Sequence, residues 1–87
     1  MLAKISKHRK TLKAVYAKLT SATIAFSDLE SLLLAVGCIL TEGAGSRVRF
    51  DKGGHAMLCH RPHPGKEAKR YQVVQAREFL EKLEIKP

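Results

Sequence analysis

The stretch "CILTEGAGSRVRFDKGGHAMLCH", residues 38–60, decides the fold. It holds three short runs that read as strands: "CILTE", "SRVRF" and "HAMLCH". Strand side chains alternate between faces, so Val48 and Phe50 share one side and Arg47 and Arg49 the other. The "DKGG" between the last two runs supplies the residues that a hairpin turn needs. The economical reading is a three-stranded antiparallel meander with one apolar face. Cys38 and Cys59, the whole thiol inventory, then fall on its two outer strands, too far apart for easy bridging. They read as buried free thiols, and the absence of a CxxC spacing gives a structural zinc site no support.

Helices flank this meander. In "SDLESLLLAVG", Ser27 stands at a cap position with Glu30 three residues later, the spacing of a capping box. Asp28 puts negative charge at the positive end of the helix dipole. Leu29, Leu32, Leu33 and Val36 form the apolar stripe, and Gly37 fits a left-handed stop. Residues 6–19 suggest an earlier helix, with Leu12, Val15, Tyr16 and Leu19 on one stripe and Lys10, Lys13 and Lys18 largely off it. "LTSATIAF" reads as a connector or short extended piece. After the strands, "RPHPGKE" is a loop, because proline and glycine oppose regular structure. A last helix over residues 71–83 turns Ala76, Phe79, Leu80 and Leu83 to the core. The fold class is therefore α+β, with helices layered on one face of the antiparallel sheet. Residues 1–24 pack partly on this domain, since Leu12, Val15, Tyr16 and Leu19 need cover.

The chain has 87 residues, room for one modest core, and 45% of them are apolar. There is no run of membrane-spanning length and no signal peptide, so the default compartment is the cytoplasm. Sixteen Lys and Arg face eight Asp and Glu, a net charge of +8. Residues 1–27 hold Lys4, Lys7, Arg9, Lys10, Lys13 and Lys18 and no acid. Such clustering points to a polyanionic partner, most simply nucleic acid, although an acidic protein also fits.

Two stretches carry chemistry. In "GAGSRVRF", Gly43 and Gly45 let the backbone turn and approach a ligand, Ser46 offers a hydroxyl, and Arg47 and Arg49 project from one strand face. Guanidinium is a fork that matches phosphate with two hydrogen bonds. A glycine-rich turn with solvated arginines reads equally well. The second stretch, "CHRPHPGKEAKR", brings His60, Arg61, His63, Lys66, Lys69 and Arg70. Histidine can take or give a proton in phosphodiester cleavage, and Lys69 and Arg70 stand at a helix start where free N–H groups favour anions. The bland alternative is a proline-stiffened loop with surface histidines. A metal role for His60 and His63 is poor, because no carboxylate or thiol stands at ligand spacing. His8 and His55 read as surface residues. No Ser-His-Asp order, Walker loop or nucleotide fingerprint is present.

Taken together, the helix ending "LLLAVG", the strands around "EGAGSRVRF", the "HRPHPGKE" loop and the closing "VVQAREFLEKLEI" resemble the HicA family of toxins. The resemblance spans residues 26–85. Residues 1–24 resemble only a basic extension of some longer members, so the chain divides into that extension and a HicA-like domain from residue 25. The resemblance implies a double-stranded-RNA-binding-like fold, a metal-independent ribonuclease that cuts messenger RNA without a cofactor, and a HicB-type antitoxin that covers the active site. The family's glycine-serine-histidine triplet, with its catalytic histidine, is here Gly45, Ser46 and Arg47. Arginine stays protonated and cannot serve as a general base. The family's proline and histidine of the loop map to Pro62 and His63. Arg47 and Arg49 are then expected to clamp the scissile phosphate beside Ser46, with His63, or less readily His60, taking the 2′-hydroxyl proton. Gly45, Arg61, Lys66, Lys69 and Arg70, with the basic arm, hold the RNA backbone. The alternative is a module that binds RNA without cutting it, the catalytic histidine having been lost.

Overall fold

The structure is a computed structural model that describes residues 2–17, 24–63 and 65–87, with side chains from residue 7 onward. Its elements run α1 (Leu2–Tyr16), α2 (Phe26–Ala35), β1 (Ile39–Glu42), β2 (Arg47–Lys52), β3 (His55–His60) and α3 (Arg70–Lys82). The strands form an antiparallel sheet in the order β1-β2-β3. This is the meander expected from the strand runs. The hairpin is tighter than "DKGG" suggested: β2 continues through Asp51 and Lys52, and Gly53 and Gly54 alone make the turn. Both have positive φ, 57° and 81°, which the twist-matched two-residue turn demands.

Alternation sorts the sheet into two faces. Val48, Phe50, Met57 and Cys59 point inward and are buried, in one core with Leu29, Leu32 and Leu33 of α2 and Val73, Ala76, Phe79 and Leu80 of α3. Arg47, Arg49, Ala56, Leu58 and His60 point outward and are exposed. Phe50 and Leu29, both fully buried, mark where sheet and helices meet. Removing such an aromatic costs about 3–5 kcal/mol.

α1 packs against α2 and α3. Val15 is fully buried in the common core, with Leu12 and Tyr16 packed against it. The Tyr16 hydroxyl donates to the Ile85 carbonyl at 2.5 Å, and the Arg77 guanidinium donates to the carbonyls of Val15 (2.8 Å) and Ala17 (2.9 Å). Arg77 thereby satisfies carbonyls left free at the end of α1. The expected packing of the N-terminal segment is present; Leu19, the last residue of its stripe, and Lys18 lie outside the described residues. The helix also sits earlier than residues 6–19, because its register begins at Leu2 and ends at Tyr16.

The start of α2 differs from the capping-box expectation. The helix begins at Phe26, with Ala25 preceding it and no side-chain cap. A short crossing of two chain segments sets this start: the Phe26 N–H donates to the Lys66 carbonyl (2.8 Å), and the Ala68 N–H donates to the Ile24 carbonyl (2.7 Å). Burial of Ile24 and Phe26 holds the crossing, so the Ser27 hydroxyl is left exposed. Glu30 is drawn instead to Arg61. At the other end Gly37 has φ 103°, the left-handed stop that its position implied.

Candidate nucleic-acid interface

The outward face of the sheet carries the arginines. β2 and β3 pair Arg47 with His60 and Arg49 with Leu58. Residues directly opposite on one face are within side-chain reach. Arg47, Leu58 and His60 line one shallow hollow there. Among the described residues no carboxylate pairs with Arg47. The Arg49 Nε, by contrast, is held by Asp51 at 2.9 and 3.0 Å from its two oxygens. Arg47 is thus the freer guanidinium of the two.

The loop before β2 is tied to the end of β3. Gly45, φ 66°, lets the chain reverse, and the Ser46 carbonyl accepts the Arg61 N–H at 2.8 Å. Ser46, Arg47, His60 and Arg61 are therefore neighbours across the strand pair. His63 stands exposed in the loop three residues further on. The histidine that the β2–β3 register sets directly opposite Arg47 is His60.

Arg61 is engaged by two carboxylates. Its Nε lies 3.0 Å from Glu30 of α2 and its Nη1 lies 2.7 Å from Glu42 of β1. These hydrogen bonds, that to Glu30 first, push the guanidinium above its ordinary pKa. Arg61 is a clamp that joins α2, β1 and the β3 loop.

The N-terminal end of α3 adjoins β3. The Gln72 side chain is buried, accepts the Lys69 N–H at 2.8 Å and donates to the His60 carbonyl at 2.6 Å. Gln75 donates to the Leu58 carbonyl at 2.7 Å. The two glutamines donate to carbonyls of β3, an edge strand of the sheet. They also seat the exposed Lys69 and Arg70 close to His60. Lys66 is exposed at the loop end of the same crossing. Sequence reasoning missed Gln72 and the exposed Leu58 and Tyr71 (62% and 63% accessible). Tyr71 was detectable, since it lies off the stripe of Ala76, Phe79 and Leu80, and an exposed ring is a surface on which a base can stack. His8 is half-buried, not at the surface: its Nδ1 is enclosed with no hydrogen-bond partner among the described residues. His55 is exposed, as expected.

The fold is that of a small basic α+β domain whose open sheet face sets an arginine opposite a histidine. A family model described as "HicA toxin of bacterial toxin-antitoxin" matches residues 26–85, more than half of the chain. The chain belongs to the HicA toxin family, and its helix–three strands–helix core is the double-stranded-RNA-binding-like fold of that family. It is a toxin of a toxin-antitoxin system. No curated protein and no solved structure matches it. None of the described helices is long and apolar enough to cross a membrane.

Proposed function

We propose that the protein is an endoribonuclease that cuts messenger RNA in the cytoplasm and is neutralised by a HicB-type antitoxin seated over the outer sheet face. The observation that carries the reading is the cross-strand placement of Arg47 and His60. The imidazole of His60 takes the proton from a 2′-hydroxyl, whose oxygen attacks the adjacent phosphorus. Arg47, a fixed donor fork, binds the non-bridging oxygens and stabilises the charge that grows on them. The 5′-oxygen leaves with a proton taken from water while the His60 imidazolium returns its own to solvent, giving a 2′,3′-cyclic phosphate and a 5′-hydroxyl. Ser46, at the head of β2, and Arg49 orient the same phosphate. Lys66, Lys69 and Arg70 hold flanking phosphates at the start of α3, where the helix dipole favours anions. His63 is a second candidate base. No metal or cofactor enters this scheme.

The experiment incubates purified protein with mixed RNA and a chelator and analyses the ends produced. New 5′-hydroxyl ends support the reading; RNA retained but uncut contradicts it. The latter outcome would favour a module that binds RNA without cleaving it, a reading motivated by Arg47 standing where the family's triplet has histidine.

A further inference from the structure

We propose that the outer face of α1 is a second phosphate-binding surface, which carries an RNA strand away from the sheet site and across the helical side of the molecule. This rests on the RNA reading above and extends it beyond the family core, since α1 precedes the matched residues 26–85.

Arg9, Lys10 and Lys13 are exposed on α1, while Thr11 and Val15 are buried and Leu12 faces the core. The three cations therefore share the side turned from the protein. They are not on a loose tail: the buried Val15, the Tyr16–Ile85 hydrogen bond and the Arg77 hydrogen bonds fix the helix to α3 and the segment after it. A rigid cationic face binds with less loss of conformational freedom than a flexible arm.

The face is also continuous with the start of α3. Lys10 lines one groove with Thr11, Ala14 and Ile24. Ile24 is hydrogen-bonded to Ala68, and the chain then runs into Lys69 and Arg70. Asp28, which also lines that groove, is paired with Lys7 at 3.0 Å, so its charge is offset. Glu67 is the exposed acid along the path, against the exposed cations Arg9, Lys10, Lys13, Lys66, Lys69 and Arg70.

A membrane surface is the weaker fit. Helices that lie on lipid bury an apolar face in it, whereas Leu12, Val15 and Tyr16 of α1 are already used in the core. Among the residues whose side chains are described, from residue 7 onward, the exposed large apolar ones, Leu34, Ile39, Leu58, Tyr71 and Val74, lie outside α1. The long axis of the molecule is 33 Å, so at about 3.4 Å per nucleotide a strand crossing it covers about ten nucleotides. On the same scale a tetranucleotide spans about 14 Å, less than half of that axis, so it contacts fewer of these cations than a twelve-mer.

The test measures binding of a tetranucleotide and a twelve-nucleotide single-stranded RNA by the full chain over a series of salt concentrations. It compares wild type, the triple variant Arg9→Gln/Lys10→Gln/Lys13→Gln, and Lys52→Gln at the far end of β2. The triple variant keeps its fold, because the three side chains are exposed; its melting curve verifies this. Each phosphate that is no longer neutralised reduces the slope of log K against log salt by about 0.7, so the expected change is about 2 for the twelve-mer and smaller for the tetramer. Lys52→Gln leaves both slopes at wild-type values. A wild-type slope in the triple variant overturns the inference and leaves the RNA reading intact. Weakened binding to anionic vesicles with an unchanged RNA slope also overturns it, in favour of a membrane. If wild type binds neither RNA, the RNA reading itself fails, and this inference with it.

Discussion

Replacing Arg61 tests whether this residue is a clamp or a ligand for RNA. Its guanidinium joins Glu30, whose side chain is 22% accessible, and Glu42, at 65%. A hydrogen bond between charged groups contributes about 1.5–3 kcal/mol when sheltered. An exposed pair contributes about 0.2–1 kcal/mol. Arg61 is itself 34% accessible, so the lower part of each range applies, and Arg61→Ala should cost about 2 kcal/mol. For a domain of this size that lowers the melting temperature by roughly 8–16 °C. Circular dichroism at neutral pH is the assay. Glu30→Gln should cost more than Glu42→Gln, because the Glu30 pair is the less exposed. The pair raises the folded-state pKa of Arg61, so its contribution is complete below the unfolded arginine value and is lost only in strong base. It should therefore be constant across neutral pH. A melting temperature for Arg61→Ala within about 2 °C of wild type, with RNA binding abolished, would refute the clamp and restore Arg61 to the RNA-binding set.

Other consequences concern stability. Burial pushes the Cys59 thiol up to about 11, with Glu30 adding to the shift and Arg61 opposing it. A raised thiol pKa means stability that is complete below about pH 9 and lost as pH climbs towards 11, so wild type should lose more stability than Cys59→Ala over that window in urea titrations. Gly37→Ala forces a side chain to φ 103° and sets its Cβ 2.9 Å from the Lys52 Nζ, the far end of a flexible side chain; the backbone strain predicts a loss of about 1–2 kcal/mol, and an unchanged urea midpoint would contradict it. Gln72→Leu keeps volume but orphans the Lys69 N–H and the His60 carbonyl, and should cost about 1–3 kcal/mol, against little for the exposed Val74→Ser.

Much of the fold was legible because local and tertiary demands agree. Val48 and Phe50 alternate with Arg47 and Arg49, and the sheet buries one pair and exposes the other. Gly37 and the paired glycines of the hairpin sit where backbone geometry requires them. Local signals failed where distant residues decide. Ser27 and Glu30 have capping-box spacing, yet the crossing of residues 24–26 with 66–68 starts α2 at Phe26, ahead of Ser27, and Glu30 goes to Arg61, thirty-one positions away. At the candidate site, side-chain direction within a strand fixed Arg47 and Arg49. Which histidine faced Arg47 depended on the β2–β3 register, and a two-residue turn sets that register. Arg61 looked like one more cation of a basic loop, because sequence shows charge but not the carboxylates that fold onto it.

The central claim is that Arg47, opposite His60, acts on the phosphate. The most direct measurement is the single-turnover cleavage rate of one defined RNA, in chelator, by wild type, Arg47→Ala, His60→Ala and His63→Ala, each shown to melt like wild type. The account predicts a loss of about 10²–10³-fold for Arg47→Ala, the cost of removing one preorganised donor, and a loss in His60→Ala larger than in His63→Ala. Cleavage by Arg47→Ala at the wild-type rate would contradict it.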